Sequence, residues 1–109
     1  MYSNARSWYE AVNARTAIGL SRDGRTVTIV AVDARGGSLG MTVRELATLL
    51  VRDYGVWQAL NLDGGGSTSM VLTDPVTGEP RVLTTSADGP AGRSVASSLL
   101  VFAQKVPGR

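Results

Sequence analysis

The sequence predicts an α+β domain in which a largely antiparallel sheet packs on one principal helix, at about residues 42–54. Three observations lead there. Two runs rich in β-branched and apolar residues, Thr16–Leu20 and Thr26–Asp33, flank Asp23-Gly24, a dipeptide that favours a tight hairpin turn. One strong helix signal follows, with its own start and stop residues. After it come further strand-like stretches joined by links of hairpin length, which suit antiparallel pairing rather than the long crossovers of a parallel sheet.

In chain order, residues 1–12 show no clear period and read as a lead-in, residues 13–104 as the domain, and residues 105–109 as a tail. Thr16–Leu20 is the first strand. In the second, Val27, Ile29 and Ala31 face one way and Thr28, Val30 and Val32 the other. Both faces are largely apolar, the pattern of an interior strand. Thr42 followed by Glu45 forms a capping box, in which each side chain satisfies a backbone N–H of the helix start. Val43, Leu46, Ala47 and Leu50 make one apolar stripe, with Arg44, Thr48 and Arg52 largely off it. Gly55 can end the helix in the left-handed conformation. Val56–Asp63 then reads as a strand, Thr68–Thr73 as another, and Arg81–Thr84 as a short edge strand beyond a turn at Asp74-Pro75 and Thr77-Gly78. Ser86–Gly92 is a loop, and the apolar run Val95–Ala103 is the expected last strand.

Composition narrows the chemistry. With 109 residues the chain has room for one core. It contains no Cys and no His, which removes disulfides, thiolate zinc sites, Cys nucleophiles and imidazole bases. Carboxylates, arginines, hydroxyls and backbone groups are what remain. The net charge of +2 is too small for the dense cationic stripe of a nucleic-acid binder. Ten of the eleven basic residues are Arg, whose planar fork grips phosphate or carboxylate bidentately. No apolar run approaches the roughly 20 residues of a membrane helix, and residues 1–10 lack the apolar stretch of a secretory leader.

The segment Asn61-Leu62-Asp63-Gly64-Gly65-Gly66-Ser67-Thr68 stands out. Three successive glycines suit a place where backbone must bend or be closely approached, and free of Cβ atoms their amides can form a nest for an anion. Asp63 would then stand at the lip, with Ser67 and Thr68 offering hydroxyls. The simpler alternative is a wide turn in which Asp63 bonds its own backbone. Arg15, Arg35 and Arg93 each sit beside a strand end, where they either converge on a phosphate-sized pocket or remain separate solvated cations. Asp33 and Asp88 are acids in similar positions, or turn caps. Trp8, Trp57 and Phe102 read as core or interface residues rather than sugar platforms.

Taken together, Asn13–Gly19, Val32–Arg35, Gly40–Thr42 with Glu45–Ala47, Leu60–Thr68, Ser86–Gly89, Arg93–Ala96 and Leu99–Phe102 resemble the phosphodiester glycosidase family, the family of the uncovering enzyme of lysosomal targeting. The chain is similar to the C-terminal part of such a domain. It departs from the family's pattern in Ala34, where the family has Gly, and in Ser94, where the family favours Pro. The resemblance implies hydrolysis of a sugar-1-phosphodiester at the glycosidic C–O bond. It implies that Arg15, Arg35 and Arg93 bind the phosphodiester, that Asp63 acts at the sugar, and that Gly64, Gly65, Gly66 and Ser67 shape the pocket. Asp33 and Asp88 are further acids, and the division of labour among the three carboxylates stays open. The chemistry agrees, since arginines can stabilise a departing phosphate and a carboxylate can serve an oxocarbenium-like centre.

Two other readings compete with the hydrolase: a non-catalytic module that binds a phosphosugar or glycan, and an inactive truncated domain. No cofactor is expected. Asp33, Asp63 and Asp88 are oxygen donors of the type that hold a hard divalent cation, but their spacing does not call for one. The expected partners are a small-molecule or glycan phosphodiester and a second copy of the chain that completes the sheet. By analogy with relatives that act on surface glycans, an exported location is expected.

Overall fold

The structure, a computed structural model, describes residues 5–85, 89 and 92–104. Two helices and five strands succeed one another as α1 (Ala5–Glu10), β1 (Arg15–Ser21), β2 (Val27–Val32), α2 (Val43–Tyr54), β3 (Val56–Asn61), β4 (Val71–Thr73) and β5 (Pro80–Val82). The main sheet has the order β2-β1-β3 with antiparallel neighbours, and β4 and β5 form a separate antiparallel hairpin. This is the expected α+β arrangement.

Local chemistry accounts for the first hairpin. Asp23 Oδ1 accepts from the Ser21 hydroxyl at 2.7 Å and from the Arg25 amide at 3.0 Å, so the turn is held from within. The Ser21 hydroxyl contact, with the Arg25 amide behind it, holds the Asp23 carboxyl below its ordinary value. Across the turn Leu20 pairs with Val27 and Arg15 with Val32.

Helix α2 forms as its sequence predicts. The Thr42 side chain accepts from the Glu45 amide at 3.0 Å, and Glu45 Oε1 accepts from the Thr42 amide at 3.0 Å. At the far end Gly55 has φ of 63°, where glycine carries no Cβ penalty, and its N–H donates to the Leu50 carbonyl. Between the caps, Leu46 and Leu50 are each only 2% exposed. They pack with Ala17 of β1 and Val56 of β3, flanked by Val30, Val32 and Met41. Each buried leucine contributes about 1.5–3 kcal/mol.

Three expectations need correction. Strand β2 lies at an edge of the sheet, and β1 is the interior strand. Its double apolar pattern has another cause: Val30 and Val32 face α2, and the alternate residues, register partners of Ile18 and Leu20, face the opposite side, where no helix packs among the described residues. Second, the lead-in, for which the sequence shows no period, is helical over residues 5–10, with an Arg6–Glu10 ion pair at 2.9 Å and a tertiary anchor described below. Third, Val95–Ala103 pairs with no strand among the described residues, and Leu100 and Phe102 are 71% and 91% exposed. An apolar run acquires strand structure only where a neighbour offers a ladder, and none does so here.

Candidate functional site

Sheet register brings the chemistry to one rim. Because β1 is central, its first residues are flanked by the end of β2 on one side and the end of β3 on the other. Arg15 pairs with Val32, and Ala17 with Asn61. Asp33 therefore leaves β2, and Asp63 follows β3, on either side of the start of β1. Their backbones stand two strand spacings apart, about 10 Å.

The glycine loop is stitched to this rim. The Leu62 amide donates to the Thr16 carbonyl at 2.8 Å, and the Gly65 amide to the Ala14 carbonyl at 3.0 Å. A Cβ on Gly64 would lie 2.6 Å from the Ala14 carbonyl oxygen, so the loop can lie this close only because the residue is glycine. The neighbouring wall repeats the device. Asn13 and Met41 form an isolated bridge, and a Cβ on Gly40 would lie 2.6 Å from the Asn13 carbonyl oxygen.

These contacts change the expected role of the glycines. Asp63 Oδ1 accepts from the Gly64 amide at 3.0 Å, as the simpler turn reading predicts. The Gly65 amide is engaged by Ala14, and the Ser67 and Thr68 amides donate to Gly64 and Gly65 within a short 3₁₀ turn, Gly65–Ser67. The amides of Gly64, Gly65, Ser67 and Thr68 are thus engaged within the chain rather than aimed outward as an anion nest. The loop instead sets the shape of the rim and leaves Asp63 exposed there.

Arg15 also departs from expectation. It is fully buried at 0% exposure. Its Nε donates to the Met41 carbonyl at 2.9 Å, its Nη2 to the Trp8 carbonyl at 2.9 Å and to the Ala11 carbonyl, and its guanidinium lies 4.8 Å from the centre of the Trp8 ring. Trp8 and Ala11 carry carbonyls at the end of α1, where helix geometry leaves oxygens without intrahelical donors and favours a cation. Arg15 therefore joins α1, the Gly40–Met41 segment and β1 from beneath the rim, with its fork buried among these carbonyls. Trp8 is half-buried beside Gly65, a cross-chain placement with no local sequence signal.

The remaining residues are placed as follows. Asp33 is half-buried, and its Oδ1 accepts from the Thr85 amide at 3.0 Å, tying the segment after β5 to the end of β2. Arg35 is exposed two residues beyond Asp33, in a turn where its carbonyl accepts from Ser38 at 3.3 Å. Arg93 is exposed in the irregular segment at 92–104, and Ser67 is half-buried at the end of the glycine turn. Asp88 lies outside the described residues. The structure thus brings Asp33, Arg35, Asp63 and the glycine loop to one end of the sheet.

Two further polar groups join them. Thr68 is 2% exposed, and Thr68 Oγ1 and Asn61 Oδ1 are buried with no hydrogen-bond partner among the described residues. Buried oxygens of this kind are uncommon, and both of these lie at the ends of the Asp63–Ser67 loop. Their signal in the sequence is only their place beside the glycines. Among the described residues no three carboxylates converge as metal ligands, and no helix is long and apolar enough to cross a membrane.

The family model for phosphodiester glycosidases matches residues 2–102 of this chain. The chain belongs to the phosphodiester glycosidase family. The match includes most of the lead-in, for which the sequence shows no nameable resemblance. The chain is 38% identical over 69 residues to N-acetylglucosamine-1-phosphodiester alpha-N-acetylglucosaminidase of Bos taurus, a stretch covering 63% of this chain and 13% of that protein. The enzyme of the same name from Homo sapiens is 39% identical over 69 residues, with the same coverage. The chain thus spans a small fraction of the length of these relatives. A solved structure, that of a hypothetical protein from Synechocystis, is similar with a TM-score of 0.53 and 32% identity, covering 73% of this chain and 16% of that one. The likeness extends to the fold.

Proposed function

We propose that this phosphodiester glycosidase family member hydrolyses the glycosidic C–O bond of a sugar-1-phosphodiester. The observation that carries the reading is the meeting of Asp33, Asp63 and the glycine loop at the start of β1, with Arg35 two residues from Asp33. The family match and the printed activity of the relatives support the same chemistry.

In the proposed reaction one water is consumed. Its oxygen bonds to the anomeric carbon while the bond from that carbon to the phosphate oxygen breaks, releasing sugar and a phosphate monoester. Asp63, exposed at the rim, is the carboxylate that acts at the sugar as charge develops there. Arg35 and Arg93, both exposed, hold the phosphate, and cations placed against the departing oxygens replace part of the work of a protonated acid. Gly64 and Gly65 bring the loop against β1 and so fix where Asp63 stands. Arg15 contributes as a positioning residue beneath the rim.

A panel of chromogenic sugar-1-phosphodiesters tests this, with the 109-residue chain beside Asp63→Asn and Arg93→Ala. The carboxamide that Asp63→Asn introduces retains an oxygen for the Gly64 amide, so the turn is kept while the charge is lost. Turnover is expected from the wild type, with a loss of about 100-fold or more in each variant at unchanged melting temperature. A cooperatively folded wild type without turnover overturns the hydrolase reading. Saturable binding in that case supports the alternative of a non-catalytic phosphosugar-binding module, which the buried Arg15 favours.

A further inference from the structure

Trp8 stands between the central strand and the glycine loop. Its carbonyl accepts from Arg15 Nη2 at 2.9 Å, and the Arg15 guanidinium lies 4.8 Å from the centre of its ring. One side chain of β1 therefore holds Trp8 both by its backbone and by its ring, and a guanidinium over an indole is a favoured pairing. The far edge of the ring reaches the loop. A Cβ on Gly65 would lie 3.7 Å from Trp8 Cη2, ordinary van der Waals contact, and 3.8 Å from Asn13 Nδ2. Asn13 is fixed in turn, its Oδ1 accepting from the Ala14 amide at 2.8 Å. Gly65 itself has φ of 58°, in the left-handed region, and its amide donates to the Ala14 carbonyl at 3.0 Å. It is thus tied by its backbone to the residue just ahead of β1, and walled by Trp8 and Asn13 on the side where any other residue carries a side chain.

Where Gly65 sits bears on Asp63. The loop meets the start of β1 through two amides, Leu62 donating to the Thr16 carbonyl at 2.8 Å and Gly65 to the Ala14 carbonyl. Asp63 stands between these two fixings, its Oδ1 accepting from the Gly64 amide. The Leu62 bond continues the β1–β3 ladder, which pairs Ala17 with Asn61. The Gly65 bond lies beyond the ladder, where backbone bonds open locally unless something packs against them. Trp8 is the large side chain placed there.

We propose that Trp8 is a positioning residue for the Asp63 loop: it presses α1 against Gly65, keeps the Gly65–Ala14 bond closed, and so fixes where the carboxylate stands. A carboxylate displaced by about 1 Å from its working place can cost about 100-fold in rate. The consequence for rate rests on the hydrolase reading, whereas the hold on Gly65 does not.

Trp8→Phe tests both. Phenylalanine keeps a ring for Arg15 but ends short of Cη2, so the loop contact is lost while α1 stays anchored. Trp57→Phe is the control. Trp57 stacks with Arg22 at 4.6 Å, beside the Ser21–Val56 pair at the end of β1 away from Arg15. Amide hydrogen exchange of the full chain, resolved residue by residue, should quicken about 10-fold or more at Gly65 in Trp8→Phe, with Leu62 and the α2 amides within about two-fold of the wild type and no change in Trp57→Phe. On a sugar-1-phosphodiester that the wild type cleaves, Trp8→Phe should lower kcat about 10- to 100-fold with KM within about two-fold, and Trp57→Phe should alter neither. Exchange that quickens equally at Gly65, Leu62 and α2 assigns Trp8 to overall stability alone and overturns the proposal. A Gly65 amide indifferent to Trp8→Phe, or a kcat that holds when Gly65 is released, overturns it equally. A wild type without turnover overturns the hydrolase reading instead, and exchange at Gly65 then decides by itself whether Trp8 holds the loop.

Discussion

Gly64→Ala turns on the sign of its effect. Gly64 has φ of −133°, which any residue can adopt, so backbone conformation alone does not require glycine. Were the surroundings open, alanine would stabilise the fold by about 0.4–1 kcal/mol by restricting the unfolded chain. The surroundings are closed: the new Cβ would lie 2.6 Å from the Ala14 carbonyl oxygen and 3.5 Å from Arg15 Cα. Both are backbone atoms at or just before the start of the central strand and cannot swing aside as a side-chain tip would. Relieving the clash means moving the loop off β1, at about 1–3 kcal/mol for overpacking. It also loosens the hydrogen bond from the Gly65 amide to the Ala14 carbonyl, worth about 0.5–1.5 kcal/mol. Together these give a loss of about 1.5–4.5 kcal/mol, or roughly 6–36 °C in melting temperature for a domain of this size. Gly78→Ala is the comparator. Gly78 has φ of 75° with no atom near its added Cβ, so its cost is the left-handed backbone alone, about 1–2 kcal/mol. Thermal melts followed by circular dichroism decide the matter. A Gly64→Ala variant as stable as the wild type, or more so, would refute the claim that this contact holds the loop in place.

Arg15→Lys keeps the charge but replaces a planar fork that reaches three carbonyls with a single ammonium; a loss of about 2–4 kcal/mol in urea unfolding is expected. Turnover per folded molecule should hold near the wild-type value, whereas a direct phosphate contact would raise KM sharply. Acid should destabilise the fold through four carboxyls, three exposed and Asp74 half-buried. Asp23 is lowered first by the Ser21 hydroxyl, Glu45 by the Thr42 amide, Asp53 by its hydrogen bond from Arg52, and Asp74 by the Val76 amide. Each folded value lies below the unfolded one, so the stabilisation is present above the ordinary carboxylate range and is lost as pH falls through the folded values. The urea midpoint should therefore be flat near neutrality and fall below about pH 4, and a midpoint that rises there would contradict the assignment.

Part of the candidate site was legible from residue order alone. Asp63 and its glycines were marked by composition, and the capping box and Gly55 specified α2 to within a residue, because each of those interactions spans only a few positions. For Arg15, Arg35 and Arg93 the sequence left open whether strand-end residues share a pocket; that Asp33 and Asp63 leave their strands at the same end follows from strand order alone. Arg15 looked like a ligand for phosphate because its type and position beside a strand end permit that role. Its actual contacts with the carbonyls of Trp8, Ala11 and Met41 depend on where three separate segments meet.

Residue order alone carried the local features: the Asp23-Gly24 hairpin, the capped amphipathic helix, the antiparallel α+β character and a glycine-rich loop after a carboxylate. These follow from interactions between near neighbours, whose geometry the chain carries with it. The packing of distant segments made β2 an edge, buried the guanidinium of Arg15, engaged the Gly65 amide, and left Val95–Ala103 without a ladder among the described residues. An apolar residue specifies that it should leave water but not which surface should cover it, since hydrophobic burial has no direction. Which faces meet is settled by the packing of distant segments, as where α2 meets the Ala17 and Val56 face of the sheet.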